Sequence, residues 1–256
     1  MSPKTIIEAT GEIISGEDAI LHAEGVITVD DEVRESNPLR WVADSYDQVQ
    51  RVRMAMDNRL RAYAQGRDDS ELKLQGPAAV VAENLAATEK QLAKMMNELV
   101  KTHPAWPWLS QVRGVSGVLG CKLLGLLDIN QARHISSFWK FCGLAVVNGE
   151  RDRLQKGEKA PYSKRAKVVC YLIATSFLRS NSPFRKVYDD ARVYYAANRP
   201  DWTPGHQHNA AMRKMEKVFL ACLWLAWREA VGLPTELPYA HERMGHEQMY
   251  RPEDFI

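Results

Sequence analysis

The residues best suited to chemistry lie in one stretch, 112–129, which reads Val-Arg-Gly-Val-Ser-Gly-Val-Leu-Gly-Cys-Lys-Leu-Leu-Gly-Leu-Leu-Asp-Ile. A hydrophobe-Gly-hydrophobe-small-Gly turn running into a helix of small and aliphatic residues is the pattern of a helix-hairpin-helix that seats phosphates on its backbone. Gly114 and Gly117 remove side chains that would hold the backbone off a ligand, and they allow positive φ in a tight turn. A helix beginning near Gly117 has unpaired first-turn N–H groups at the positive end of its macrodipole, where a phosphate oxygen fits. Val115 is expected to anchor the turn to the core, Ser116 completes the turn, and Lys122 adds a point charge. The alternative is an ordinary Gly-rich connection between helices, since short glycine motifs recur without ligands.

Other chemistry is less well supported. His206-x-His208 and His241-x4-His246 could offer imidazoles to a metal, but no Cys lies near them and a long helix separates the pairs. No metal or cofactor is therefore expected. His206 and His208 are expected to cap or precede the last helix, where protonation would favour a phosphate. Trp106, Trp108, Trp139, Trp224 and Trp227 read as core, and Trp202, in a Pro-Asp-Trp-Thr-Pro-Gly loop, as an exposed aromatic. No phosphate-binding Walker loop, dinucleotide fingerprint or serine-hydrolase elbow is present.

Charge sharpens the picture. The 256 residues carry a net +2, but its distribution is uneven. Residues 1–38 hold nine acidic residues against Lys4 and Arg34, a net −7. Residues 151–195 hold eleven basic residues against four acidic ones, a net +7. Arg151, Arg153, Lys156, Lys159, Lys164, Arg165 and Lys167 follow the candidate turn closely, and Arg213 and Lys214 lie further on, so a nucleic-acid footprint is expected. The acidic arm is either a tail or a counter-charge that competes for the basic face.

Periodicity supplies the elements that position these residues. The fold expected is mainly α: a helical hairpin forming an antiparallel coiled coil, an all-α helix-hairpin-helix domain, and a small irregular or β N-terminal arm. The arm (1–38) contains the β-branched pieces Thr5-Ile6-Ile7, Ile13-Ile14 and Val26-Ile27-Thr28-Val29, broken by Gly11, Gly16 and Gly25. Val42, Tyr46, Val49, Met56, Leu60 and Tyr63 mark a helix over 39–64, and Val81, Leu85, Thr88, Leu92, Met95 and Leu99 a second over 78–101, with a break between them. These two form the hairpin (39–103), which also offers a homo-oligomer seam. The remainder (104–256) reads as helices: one after Ile135 capped at Gly143, one from Pro161 or Tyr162, one after Ser182-Pro183, and one over 209–231. Residues 148–160 form a polar loop. No run reaches the ~20 apolar residues of a membrane span, and no signal peptide is evident. Cys121, Cys142, Cys170 and Cys222, scattered among apolar neighbours, read as buried free thiols, and a cytoplasmic, nucleoid-associated protein is expected.

Five motifs in this order resemble a known family. They are Gly114-Val-Ser-Gly-Val-Leu-Gly-Cys-Lys-Leu-Leu; Phe138-Trp-Lys-Phe-Cys-Gly143-Leu144-Ala145; Ser163-Lys164-Arg165; Ser182-Pro183-Phe184-Arg185-Lys186-Val-Tyr188; and a terminal Lys-and-aliphatic helix ending in Trp-Arg. The set is similar to the C-terminal transposase domain of the IS-one-ten/IS-one-sixteen recombinases over residues 105–232, with the preceding hairpin similar to their coiled coil. The resemblance implies DNA binding in a mobile-element setting. It also implies a RuvC-like nuclease with a four-carboxylate metal site ahead of the hairpin, where this chain has only its acidic arm. A nucleophilic serine is implied in the loop after Gly-Leu-Ala, yet residues 148–160 contain none. Ser163 matches the serine before the Lys-Arg pair, a structural position.

The expectation is a DNA-binding relative of a transposase without recombinase catalysis, holding the phosphate backbone through Gly114, Val115, Ser116, Gly117, Ser163 and the basic residues named above. Two alternatives stand beside it. One is a nicking or strand-transfer enzyme using Ser163, Ser180, Ser182 or Tyr162 as nucleophile. The other is an interaction module whose hairpin recruits a separate nuclease.

Overall fold

Asn37 and Pro38 start the first long helix, α1 (Pro38–Ala64): the Asn37 side chain accepts from the N–H groups of Leu39 (3.1 Å) and Arg40 (3.3 Å), and Pro38 occupies a position whose N–H would have no partner. Gln65 and Gly66 (φ +63°) end it. The computed structural model describes residues 6–7, 13–14, 37–67, 75–147, 150–151, 156–157, 159–235 and 250–256, and these are mainly helical. Helix α2 (Gln75–Leu99) returns along α1 and passes into a 3₁₀ turn, Val100–Thr102. Gly76 and Pro77, which read as a break in sequence, lie in its first turn, where both residues are tolerated.

The hairpin is held differently along its length. At its middle, Glu89 of α2 accepts from Tyr46 Oη (3.0 Å), Gln50 Nε2 (2.7 Å) and the Arg53 guanidinium. At its base, Leu39, Val42, Ala43, Met96 and Val100 are buried in the main core. Further out, Val52, Met54 and Val80 are exposed, and of the seam residues expected on α2, Val81, Thr88 and Met95 are exposed while Leu85, Leu92 and Leu99 are half-buried. The core therefore runs across the 103/104 boundary, joining the hairpin's base to the rest.

That core forms around α8 (Pro204–Ala230), whose Met212, Met215, Phe219, Leu220, Leu223, Trp224 and Trp227 face inward at helical spacing. Short helices α3 (Trp106–Leu109), α4 (Gly117–Leu124) and α5 (Ile135–Phe141) surround it, with α6 (Lys164–Ser180) and α7 (Arg185–Asn198). Phe184 is the hub, its ring 4.9 Å from Phe177, 5.5 Å from Phe219 and 3.9 Å from Phe255. Phe255 belongs to a 3₁₀ turn, Pro252–Phe255, that Trp108 Nε1 ties down through the Pro252 carbonyl (3.0 Å). All four cysteines are buried free thiols.

Among the described residues, strand structure is minimal. β1 (Ile6–Ile7) pairs antiparallel with β2 (Ile13–Ile14), at two of the expected β-branched pieces, and the third, 26–29, lies outside the described residues. β3 (Val146–Val147) pairs antiparallel with β4 (Glu150–Arg151), so strand pairing reaches into the segment expected to be a polar loop. Helix α8 starts at Pro204, five residues before the expected position, because Thr203 caps it by accepting from His206 N–H (3.2 Å). His206 and His208 consequently sit inside the helix rather than ahead of it.

Candidate nucleic-acid interface

The turn before α4 is built as the sequence implies, but its glycines serve the fold. Gly114 has φ +101°. Its carbonyl accepts from Ser176 Oγ (2.7 Å), and a Cβ placed there would lie 2.6 Å from Ser180 Oγ and 3.1 Å from Phe177. A Cβ at Gly117 would lie 2.1 Å from Asn97 Oδ1 on α2. Both glycines thus let the turn press on α6 and α2, and the open approach expected from their missing side chains is corrected to this internal packing. Val115 does pack against the core. Ser116 caps α4, its Oγ accepting from Leu119 N–H (3.2 Å), while its carbonyl takes Gly120 N–H (2.8 Å). The first-turn N–H groups of Gly117 and Val118, half-buried residues, are left for an outside acceptor.

The expected cations separate into engaged and exposed. Lys122 is a correction: it is only 8% exposed, its Nζ lies 2.7 Å from Asp47 Oδ1, and it sits 4.5 Å above the Tyr46 ring. Arg165 is another, bonded to Asp47 (2.8 Å) and paired with Asp44, while burial and neighbouring Arg40 lower its pKa. Neither projects as a point charge. The pair instead binds the hairpin's base to α4 and α6. Lys167 lies 4.4 Å over the Tyr162 ring, and Arg213, half-buried, donates to the Gly143 carbonyl (3.0 Å). Lys156, Lys159, Lys164 and Lys214 are exposed. The side chain of Arg151, and Arg153 altogether, lie outside the described residues.

The nucleophile candidates are also placed. Ser163 caps α6, accepting from Ala166 N–H (3.2 Å), which is the structural role expected of it. Ser180 and Ser182 have buried hydroxyls with no hydrogen-bond partner. His206 stacks on Trp202 at 4.0 Å, and His208 Nδ1 pairs with Tyr188 Oη at 2.7 Å. Trp202 is half-buried under His206 and Arg199, not the freely exposed aromatic expected. His241 and His246 lie outside the described residues, and among those described no cluster of metal-ligating side chains forms.

The turn and the basic segment stand at opposite ends of α6. Gly114 touches Ser176 and Ser180, whereas Ser163, Lys164 and Lys167 begin the helix. At 1.5 Å per residue, Lys164 and Ser180 are separated by about 24 Å. The helix therefore separates the glycine turn from the basic residues that the sequence runs together.

Two groups escape a reading of sequence alone. Glu216 of α8 is 6% exposed, and burial pushes its carboxyl up to about 7 even though Arg213 and Lys167 pull the other way. Its only signal is a carboxylate on the apolar face of a helix. The second group is a cleft of about 490 Å³ next to the turn, where Arg113, Arg185 and Lys186 converge. No protein-family model matches the chain, and no curated protein matches it.

Proposed function

We infer that this chain is a DNA-binding protein of a mobile genetic element, related to the transposase domain of the IS-one-ten/IS-one-sixteen recombinases and without their strand-transfer chemistry. The observation that carries the reading is the arrangement along α6. The Gly114 turn, which leads into the capped start of α4, packs on Ser176 and Ser180 near the end of α6, and the exposed Lys164 begins that helix about 24 Å away along its axis. That span matches about seven base pairs of B-form DNA at 3.4 Å each, so one duplex can meet both ends. The contacts would go to phosphates, from two amides at one end and from Lys156, Lys159, Lys164 and Lys214 at the other, giving position without base readout.

The absence of catalysis rests on the chain's own residues. The loop 148–160 lacks a serine, and Ser163 spends its oxygen on the α6 cap. The hydroxyls of Ser180 and Ser182 are buried. The exposed Val52, Met54, Val80 and Val81 favour a second property of the same protein: the hairpin as a docking seam for a second copy or for a partner supplying a nuclease.

Incubation with supercoiled and branched DNA, with and without Mg²⁺, tests the reading. Retarded but intact DNA is expected. Nicked or covalently linked product supports the enzyme alternative, and no binding leaves the interaction module.

A further inference from the structure

Three segments meet at the cleft beside the hairpin turn. Gln111 and Arg113 come from the turn itself, Asn181, Ser182 and Pro183 from the α6–α7 connection, and Arg185, Lys186 and Asp189 from the start of α7. Phe255 and Ile256 close the remaining wall.

The connection is unusual in two respects. Asn181 holds φ +53°, the one positive φ at a non-glycine among the described residues, and this sharp end to α6 brings Ser180 and Ser182 to either side of it. Both hydroxyls are buried without a hydrogen-bond partner, and Ser182, at 3% exposed, lines the cleft. A buried hydroxyl left unpaired costs stability unless something in the site pairs it. An oxygen-rich ligand does so.

The charges specify the ligand further. Arg113 is exposed and has no carboxylate partner among the described residues. Arg185 shares Asp189 at 3.3 Å, and Lys186 pairs with Asp190 at 2.9 Å, both at the surface where such pairs are weak and yield to a competing anion. Arg113, Arg185 and Lys186 outnumber the negative charges of the described lining, Asp189 and the Ile256 terminus. A phosphate monoester near neutrality carries about 1.5 to 2 negative charges and gains more from such a lining than a singly charged phosphodiester does.

We propose that this cleft binds a phosphate monoester, either the terminal phosphate of a DNA strand or the phosphate of a free nucleotide. Arg113 and Arg185 grip the oxyanion by charge-assisted hydrogen bonds. Ser182 donates from the floor, and Lys186 adds a point charge at the rim. For the DNA end, the site extends the DNA-binding reading: a strand held at the Gly117 amides has its terminus within reach of the adjoining Arg113. For the free nucleotide, it stands apart from that reading.

The test uses the full chain with two duplexes of one sequence, bearing a 5′-phosphate or a 5′-hydroxyl, in fluorescence anisotropy. Calorimetric titration with deoxyadenosine monophosphate against deoxyadenosine runs beside it. Tighter binding of the phosphorylated duplex by about tenfold is expected, with the preference abolished in Arg113→Gln and reduced in Ser182→Ala. Arg113 is an exposed side chain and Ser182 loses only an unpaired hydroxyl, so both variants keep their fold, which melting curves check. Equal affinity for both duplexes, together with no uptake of the monophosphate, overturns the proposal and leaves DNA binding standing. A preference that survives in both variants also overturns it. If neither duplex binds but the monophosphate does, and Arg113→Gln abolishes that, the DNA reading falls and the cleft remains as a nucleotide site.

Discussion

Replacing Asp47 by Asn should destabilise the protein more than any other single charge removal at the hairpin's base. Asp47 accepts from Lys122 Nζ at 2.7 Å and from Arg165 at 2.8 Å. The Lys122 side chain is only 10% exposed, so without Asp47 its ammonium is left largely out of water with no counter-ion. Stripping one partner from a fully buried pair costs about 3–5 kcal/mol. Asp47 itself is 28% exposed and Arg165 keeps Asp44, so solvent and a remaining partner reduce this to about 2–3 kcal/mol. For a chain of this size, that is a fall in Tm of about 5–10 °C. Lys122→Met behaves differently, since it removes the buried charge while keeping an apolar stem on the Tyr46 ring, and it should cost less than about 1 kcal/mol. Adding Asp47→Asn to Lys122→Met should then cost less than Asp47→Asn alone, a coupling of about 1–2 kcal/mol. Urea unfolding of the four proteins closes the cycle. A second readout is DNA affinity against salt: Lys122→Met should leave the slope unchanged, because that charge is already neutralised. A slope lowered by about one would mean that Lys122 reaches a phosphate, and the network reasoning fails. So would an Asp47→Asn protein that melts with the parent.

Charge reversal of Lys156, Lys159, Lys164 and Lys214 should weaken binding to all DNA sequences and lower the salt slope by about 3–4; an unchanged slope moves the footprint elsewhere. Gly117→Val should lower stability by collision with Asn97, and Asn97→Ala should recover most of the loss, as thermal melts of the single and double variants will show. Glu216 has a folded pKa raised to about 7 from 4.5, so its contribution to stability is full below pH 4.5 and is lost as pH rises through 7. Glu216→Gln should remove that loss, gaining about 3 kcal/mol over the parent at pH 8 and little at pH 4.5 in paired denaturation curves. His103, lowered to about 4 by burial, acts in the opposite sense between pH 4 and 6.5, so the difference between variant and parent is the quantity to read. Deleting residues 1–36 should tighten DNA binding at low ionic strength and make no difference at high salt; weaker binding with a lower Tm would assign the arm to folding instead.

Where a feature depends on neighbours in sequence, it could be read there. The hairpin follows from three- and four-residue apolar spacing and from Asn37-Pro38 at its start. The turn at Gly114 follows from glycine's tolerance of positive φ. One local signal is strong enough to place an element that periodicity alone misplaces. Thr203-Pro204 is a cap followed by the one residue that prefers the first helical position, and it starts α8 ahead of both histidines.

The function-bearing charges are a different matter, because their availability is decided by residues far away in sequence. Nothing near Lys122 or Arg165 shows that Asp44 and Asp47, more than seventy positions earlier, will claim both. Nothing near Arg113 shows that Arg185 and Lys186 will face it across a cleft. The net +7 of residues 151–195 is a sum along the chain, whereas a phosphate meets a surface. Helix α6 divides that sum: Lys164 and Lys167 stand at one end, and Arg185 and Lys186 follow its other end, beside the turn. What looks like one basic segment is two basic ends of a rigid spacer. If the chain binds DNA as proposed, the length of that spacer, rather than the total charge, sets which duplex geometry meets both ends.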